Sequence, residues 1–200
     1  MLSGQGAADC RVKRRSTSYL EEETRLMARI QAGDLRAFEH LYRSYHPRLT
    51  RFLTNLIHRP QLVEEALDDT MLVVWNQPGR YNGHSRLSTW IFGIAYRKGL
   101  KALRRDDQPV KDKDPDGRIS GEAGPEQQLG DRQVQGVLLH AISQLSPDHR
   151  AVVDLTYFHD IGYRETAEIM DCPVDTVKTR MYYARRHLRR MLAERLGGEV

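Results

Sequence analysis

Residues 163–196 read YRETAEIMDCPVDTVKTRMYYARRHLRRMLAERL, and this stretch decides the fold. Val177, Met181, Ala184, Leu188 and Leu192 recur at steps of four, three, four and four, which draws one apolar stripe down a helix predicted over Val174–Leu196. That stripe leaves Lys178, Thr179, Tyr182, Tyr183, Arg185 and Arg186 facing largely outward. Residues 174–195 hold seven bases against two acids, a net charge of +5. Tyr163–Met170 reads as a short helix before it, and Asp171-Cys172-Pro173 as the turn between. A short helix, a three-residue turn and a longer helix make the helix-turn-helix outline. Such a longer helix suits a DNA major groove, where early side chains read base edges and later arginines meet phosphates. A basic helix alone fits a solvated face equally well; the turn and short helix in front favour DNA.

Upstream, Ser146-Pro147-Asp148 reads as a helix start, with a hydroxyl at the N-cap, proline in the first turn and an acid beside it. Val152, Val153, Leu155 and Tyr157 continue that helix, and Ile161-Gly162 is expected to end it. Val134, Val137, Leu138, Ala141, Ile142 and Leu145 predict another amphipathic helix. Residues 106–131 differ: prolines and glycines abound, large apolar residues are scarce, and eight acids face three bases. Little surface there can be buried to offset the entropy of ordering, so the segment reads as a linker.

Before the linker, the helical pattern returns from Leu20 to about Arg105. Phe38, Leu41, Tyr42, Tyr45, Leu49, Phe52, Leu53 and Leu56 mark one apolar face. Val63, Leu67, Met71 and Val74 mark a second helix, and Leu87, Ile91, Ile94 and Ala95 a third, with Pro78-Gly79 breaking the chain between them. Residues 1–19 lack periodicity and read as a loose tail. The fold class is all-α: two small helical domains, 20–105 and 126–200, joined by a flexible linker at 106–125.

Composition excludes some classes. With 40% hydrophobic and 29% charged residues, the chain suits modest helical cores. No apolar run approaches the roughly 18 residues that a membrane span needs, and no apolar stretch follows the basic N-terminal residues, so the cytoplasm is the expected location. Cys10 and Cys172 are too few and too far apart for a disulfide framework or a four-cysteine zinc site; Cys172 reads as buried and unreactive. The histidines fall in no metal-ligand spacing, there is no glycine-rich phosphate loop, and no nucleophile–base pair is legible. No catalytic residue, metal or cofactor is expected.

Two charged segments remain. Residues 60–77 carry Glu64, Glu65, Asp68 and Asp69 without one base. The pairs 64/68 and 65/69 each lie one turn apart, so the four form an acidic ridge. Such a ridge fits a solvated face, a protein-binding face or a magnesium site. Residues 85–105 carry Arg86, Arg97, Lys98, Lys101, Arg104 and Arg105 without one acid, with Tyr81, Trp90, Phe92 and Tyr96 close by. Cations beside rings suit a single-stranded nucleic acid; composition alone favours a solvated face over a core containing Trp90 and Tyr96.

Taken in order, these segments resemble the two domains of extracytoplasmic-function sigma factors, a branch of the sigma-70 family. Ala37–Tyr42, Glu64–Trp75, Leu87–Ile91 and Ile94-Ala95 are similar to the family's sigma-two domain; Leu145–Pro147, Tyr163–Ile169 and Pro173–Arg180 are similar to its sigma-four domain. The likeness covers about 34–105 and 126–195. It implies that Glu64, Glu65, Asp68 and Asp69 dock on core RNA polymerase. It implies that Tyr81, Asn82, His84, Arg86, Trp90, Arg97, Lys98 and Lys101 meet the minus-ten promoter element. It implies that Asp175, Thr176, Lys178, Thr179, Arg180, Tyr182, Tyr183, Arg185 and Arg186 meet the minus-thirty-five element, Arg180 from beside the buried stripe. The partners implied are core polymerase, promoter DNA and an anti-sigma factor, in a stress- or signal-responsive role. The family's turn has glycine where Asp171 stands, and aspartate tolerates the left-handed backbone this needs. The acidic linker resembles one that passes through the polymerase channel.

Two rival readings exist. A dimeric helix-turn-helix regulator acting without core polymerase would leave the acidic ridge and the first domain unexplained. A phosphodiester-cleaving enzyme would use the ridge to hold metal.

Overall fold

The computed structural model describes residues 20–106 and 129–196. Regular structure among them is helical: α1 (20–31), α2 (Leu35–Ile57), α3 (Pro60–Asn76), α4 (Leu87–Asp106), α5 (Leu129–Ser143), α6 (Pro147–Tyr157), α7 (Tyr163–Met170) and α8 (Val174–Leu196), with a 3-10 turn at Pro78–Arg80. The tail read over 1–19 and most of the linker lie outside the described residues.

Helix α2 starts where Gly33 turns the chain at φ +83° and Asp34 caps the first turn, its carboxylate accepting from Ala37 N–H at 3.1 Å. Arg29 holds that carboxylate at 2.9 and 2.7 Å, which lowers the Asp34 pKa from its ordinary value. Leu41, Tyr45, Leu49, Phe52, Leu53 and Leu56 are all buried, the stripe read from sequence, while Phe38 and Tyr42 pack at its rim. Val63, Leu67, Met71 and Val74 of α3 and Leu87, Ile91, Ile94 and Ala95 of α4 close on it. Burying each large apolar side chain contributes about 1.5–3 kcal/mol. Where α4 crosses α2, Gly99 supplies bare backbone; a Cβ there would lie 2.8 Å from Leu56 Cδ2 and 3.2 Å from Leu53 Cδ2.

Helix α6 begins with Pro147 in its first turn and Asp148 beside it. The Ser146 hydroxyl makes no capping bond; it lies 2.8 Å from His149 Nδ1 instead. The helix stops at Tyr157, before the Ile161-Gly162 pair, and the loop folds back so that Ile161 N–H donates to Leu155 C=O at 2.9 Å. Ile161 is thereby buried in the core rather than marking the helix end.

The turn between α7 and α8 has the left-handed residue that its geometry needs. Asp171 sits at φ +50°, its N–H reaching Glu168 C=O, and Cys172 N–H donates to Ala167 C=O at 3.0 Å. That pair of bonds is the Schellman closure that usually employs glycine.

The two helical groups are not apart. Helix α6 lies across α2 and α7 across α4, and buried residues from both groups form one continuous core.

Candidate functional site

The acidic ridge on α3 divides into two faces. Glu65 accepts two hydrogen bonds from Arg105, which hold its carboxyl below the ordinary value, and Asp69 accepts from Lys98 at 2.9 Å. Glu64 and Asp68 are exposed and turn to solvent. Leu72, one turn on from Asp68, is 54% exposed and gives the outer face an apolar centre. Acids above and an exposed leucine below suit a basic, partly apolar protein surface. Among the described residues no group of three or more His, Cys, Asp or Glu could hold a metal ion.

The segment before α4 is a compact loop built around Tyr81. Its ring is buried against Trp90, 5.7 Å between centroids, and its hydroxyl donates to Ser85 C=O at 2.9 Å, with the Glu23 carboxylate a second acceptor in reach at 3.2 Å. Glu23 also accepts from Leu87 N–H at 2.9 Å, so a carboxylate of α1 sits at the start of α4. Tyr81 is therefore a post for the loop, not an outward ring. Asn82 and His84 are exposed on the loop, and Asn82 Oδ1 accepts from His84 N–H at 3.0 Å. Arg86, Arg97 and Lys101 are exposed along α4; Trp90 is half-buried, and Lys98 leans on Asp69. The structure thus groups Asn82, His84, Arg86, Arg97 and Lys101 on accessible surface.

On α8, Val177, Met181 and Ala184 are buried and Leu188 packs beside them. Lys178, Thr179, Tyr182, Tyr183, Arg185 and Arg186 are exposed, as the stripe required, with Asp175 exposed and Thr176 half-buried at the helix start. Lys178 pairs with Asp175 at 2.9 Å. Arg185 Nε donates to the Tyr157 hydroxyl at 2.9 Å, and its guanidinium lies 5.6 Å from that ring. Arg180 is different: it pairs with Asp148 and donates to Cys172 Sγ at 3.7 Å. Cys172 is half-buried rather than buried, and burial raises its thiol pKa.

Several residues here gave no functional signal in sequence. Glu23 was one helical acid among others. Asp148 read only as a helix-start acid, yet its second oxygen accepts from the Tyr96 hydroxyl of α4 at 2.7 Å. Asn55, Asp154 and His159 form a buried cluster between α2 and the end of α6 that no spacing announces.

Among the described residues, then, a helix-turn-helix packs beside an acidic–basic helical bundle. The family model described as Sigma-70 region 2 matches residues 41–108, and that described as Sigma-70, region 4 matches residues 135–188, together more than half of the chain. Among curated relatives, the RNA polymerase sigma-H factor of Pseudomonas aeruginosa is 26% identical over 82% of this chain and 91% of its own length. The ECF RNA polymerase sigma factor RpoE of Cereibacter sphaeroides is 29% identical over 80% and 88%. Two solved structures share the fold. CnrH, in complex with the cytosolic domain of CnrY, has a TM-score of 0.65 at 18% identity over 86% of this chain and 98% of that one. The sigma factor RpoE of Bartonella quintana, in complex with the anti-sigma factor NepR, has a TM-score of 0.62 at 21% identity over 79% and 98%. The chain belongs to the extracytoplasmic-function branch of the sigma-70 family of RNA polymerase sigma factors.

Proposed function

We propose that this chain binds core RNA polymerase in the cytoplasm and directs it to a set of promoters, acting by binding and without catalysis of its own. The carrying observation is the ordered pair of matches, region 2 over the acidic–basic bundle and region 4 over the helix-turn-helix, in one chain. In this reading residues 20–105 and 126–200 are the two promoter-engaging domains. The ridge of Glu64, Glu65, Asp68 and Asp69 docks on polymerase. Asn82, His84, Arg86, Trp90, Arg97, Lys98 and Lys101 engage the minus-ten element on a loop held by Tyr81. Asp175, Thr176, Lys178, Thr179, Arg180, Tyr182, Tyr183, Arg185 and Arg186 engage the minus-thirty-five element. Lys178 and Thr179, near the helix start, reach base edges, and the later arginines reach phosphates.

An anti-sigma factor is the proposed regulatory partner, by analogy with the complexes in which CnrH and the Bartonella RpoE were solved. Reconstitution is the test. Core polymerase with this chain should open and transcribe promoters enriched by selection, and core polymerase alone should not. Promoter binding by the chain as a dimer, with no association with core polymerase on size exclusion, would replace the proposal with an ordinary operator-binding regulator.

A further inference from the structure

A cavity of about 490 Å³ lies between the loop that joins α5 to α6 and the second half of α8. That volume falls within the roughly 300–1,000 Å³ of small-molecule sites. Tyr183, Arg186, His187 and Arg190 stand at steps of three, one and three, so they share one face of α8, and all four line the cavity. His149 of α6 lines it too. Among the described residues no carboxylate does. Asp148, the neighbour of His149 in sequence, is engaged elsewhere: one oxygen accepts from the Tyr96 hydroxyl at 2.7 Å, and the other pairs with Arg180.

The lining is arranged, not merely charged. The Ser146 hydroxyl makes no capping bond and lies 2.8 Å from His149 Nδ1. With the hydroxyl donating, the ring proton sits on Nε2, which then has a proton to give. Burial, and then Arg180, lower the His149 pKa, so near pH 7 the ring is neutral and can hold that tautomer. His187 Nε2 is buried and meets no hydrogen-bond partner among the described residues. A buried polar atom left in that state is rare. Two guanidinium groups and two imidazoles without a carboxylate match an anion, and the guanidinium fork matches phosphate oxygens. A bare phosphate would use only the cationic part. Leu145, 6% exposed, and the Tyr183 ring supply an apolar remainder, and an aromatic face stacks on any base.

We propose that this cavity binds a nucleoside diphosphate, its phosphates on Arg186, Arg190 and the two histidines and its base against Tyr183, and that the bound nucleotide competes with promoter phosphate for Arg186. The competition rests on the minus-thirty-five role given to Arg186 above; the site does not. Isothermal titration of the full chain is the test, with ADP as the probe because stacking tolerates any base. ADP should bind one to one, pyrophosphate about tenfold more weakly for want of the stacked ring, and adenosine not measurably. Arg190→Ala and His149→Ala should each lower ADP affinity about tenfold, the effect of one charge-assisted hydrogen bond. Arg189→Ala, which removes an exposed arginine outside the cavity, should leave it unchanged. Should His149→Ala unfold, Arg190→Ala still decides, since Arg190 is exposed. The dinucleotide ApA, whose phosphate is a singly charged diester like that of DNA, should bind no better than adenosine. On a duplex bearing only the upstream element, ADP should weaken binding by the parent chain and much less by the Arg190→Ala chain. ADP bound no better than pyrophosphate or ApA, equal losses in Arg189→Ala and Arg190→Ala, or duplex binding indifferent to ADP would overturn the proposal. ADP bound as described, with no promoter recognised by the loaded polymerase, would instead overturn the proposed function and leave the nucleotide site standing.

Discussion

Glu65 of α3 receives both terminal nitrogens of Arg105 on its two carboxylate oxygens, at 2.8 and 2.5 Å, and so ties the acidic ridge to the basic end of α4. With Asp69 held by Lys98, half of the ridge is engaged inside the protein. The outward half, Glu64 and Asp68, remains for a partner.

Reversing that outward pair is the cleaner test of docking. Glu64→Lys with Asp68→Lys should lower affinity for core polymerase at least about tenfold, since a like-charge juxtaposition at an interface costs several kcal/mol. Both side chains are solvent-exposed, so melting temperature and circular dichroism should hardly change. Anisotropy titration of the labelled chain with core polymerase reads the result, and unchanged affinity would remove the ridge from the interface.

On α8, Lys178→Ala and Thr179→Ala should weaken upstream-element binding at particular base pairs, by roughly 1–3 kcal/mol for each base edge no longer read. Arg185→Ala or Arg186→Ala should weaken all sequences alike and flatten the log–log salt dependence by about 0.9 for one phosphate no longer neutralised. Filter binding across a salt series separates the two behaviours. Tyr157→Phe should mimic part of the Arg185→Ala effect, because the Tyr157 hydroxyl holds the Arg185 guanidinium.

Acid should destabilise the fold before carboxylates titrate. Burial, and then the nearby Arg150, lower the pKa of His58 from its ordinary 6.5; burial, and then Arg180, lower that of His149. Both histidines stay neutral in the fold while the unfolded chain takes up protons. Their contribution is therefore complete above pH 6.5 and lost as pH falls toward the folded-state values. Thermal melts should show the midpoint dropping between about pH 7 and pH 5, and His149→Gln should shrink that drop. A midpoint constant over the range would contradict the burial of these rings.

Gly99 should tolerate no branched side chain. Leu56 and Leu53 already stand where its Cβ would go, so Gly99→Val should cost about 1–3 kcal/mol in urea unfolding through overpacking. Gly136 on α5, with nothing near its would-be Cβ, is the control, and Gly136→Ala should be neutral or slightly stabilising.

Which residues form helices, and which face each helix buries, was legible because burial on a helix leaves a periodic trace. The stripe from Leu41 to Leu56 and that from Val177 to Leu188 are direct readings of it. The turn at Asp171 was legible because few residues accept a left-handed backbone. Pairings between single polar side chains leave no such trace. Asn55 and Asp154 meet across 99 positions, and Asp148 serves Tyr96 and Arg180 at once, with no spacing to betray either. Tyr81 misled for a related reason: an aromatic beside cations reads as a stacking platform, whereas Trp90 and Ser85 engage it as structure. Ser146 likewise has the right type for a cap and a different partner, His149.

The ring of His159 set against Phe92 and Phe52 has a thermal consequence. Parting the two helical groups wets apolar rings that are otherwise dry, so opening carries a positive heat-capacity change and its free energy curves with temperature. The attraction that keeps the seam shut weakens as water cools. The seam between the two helical groups should therefore be held less firmly in the cold.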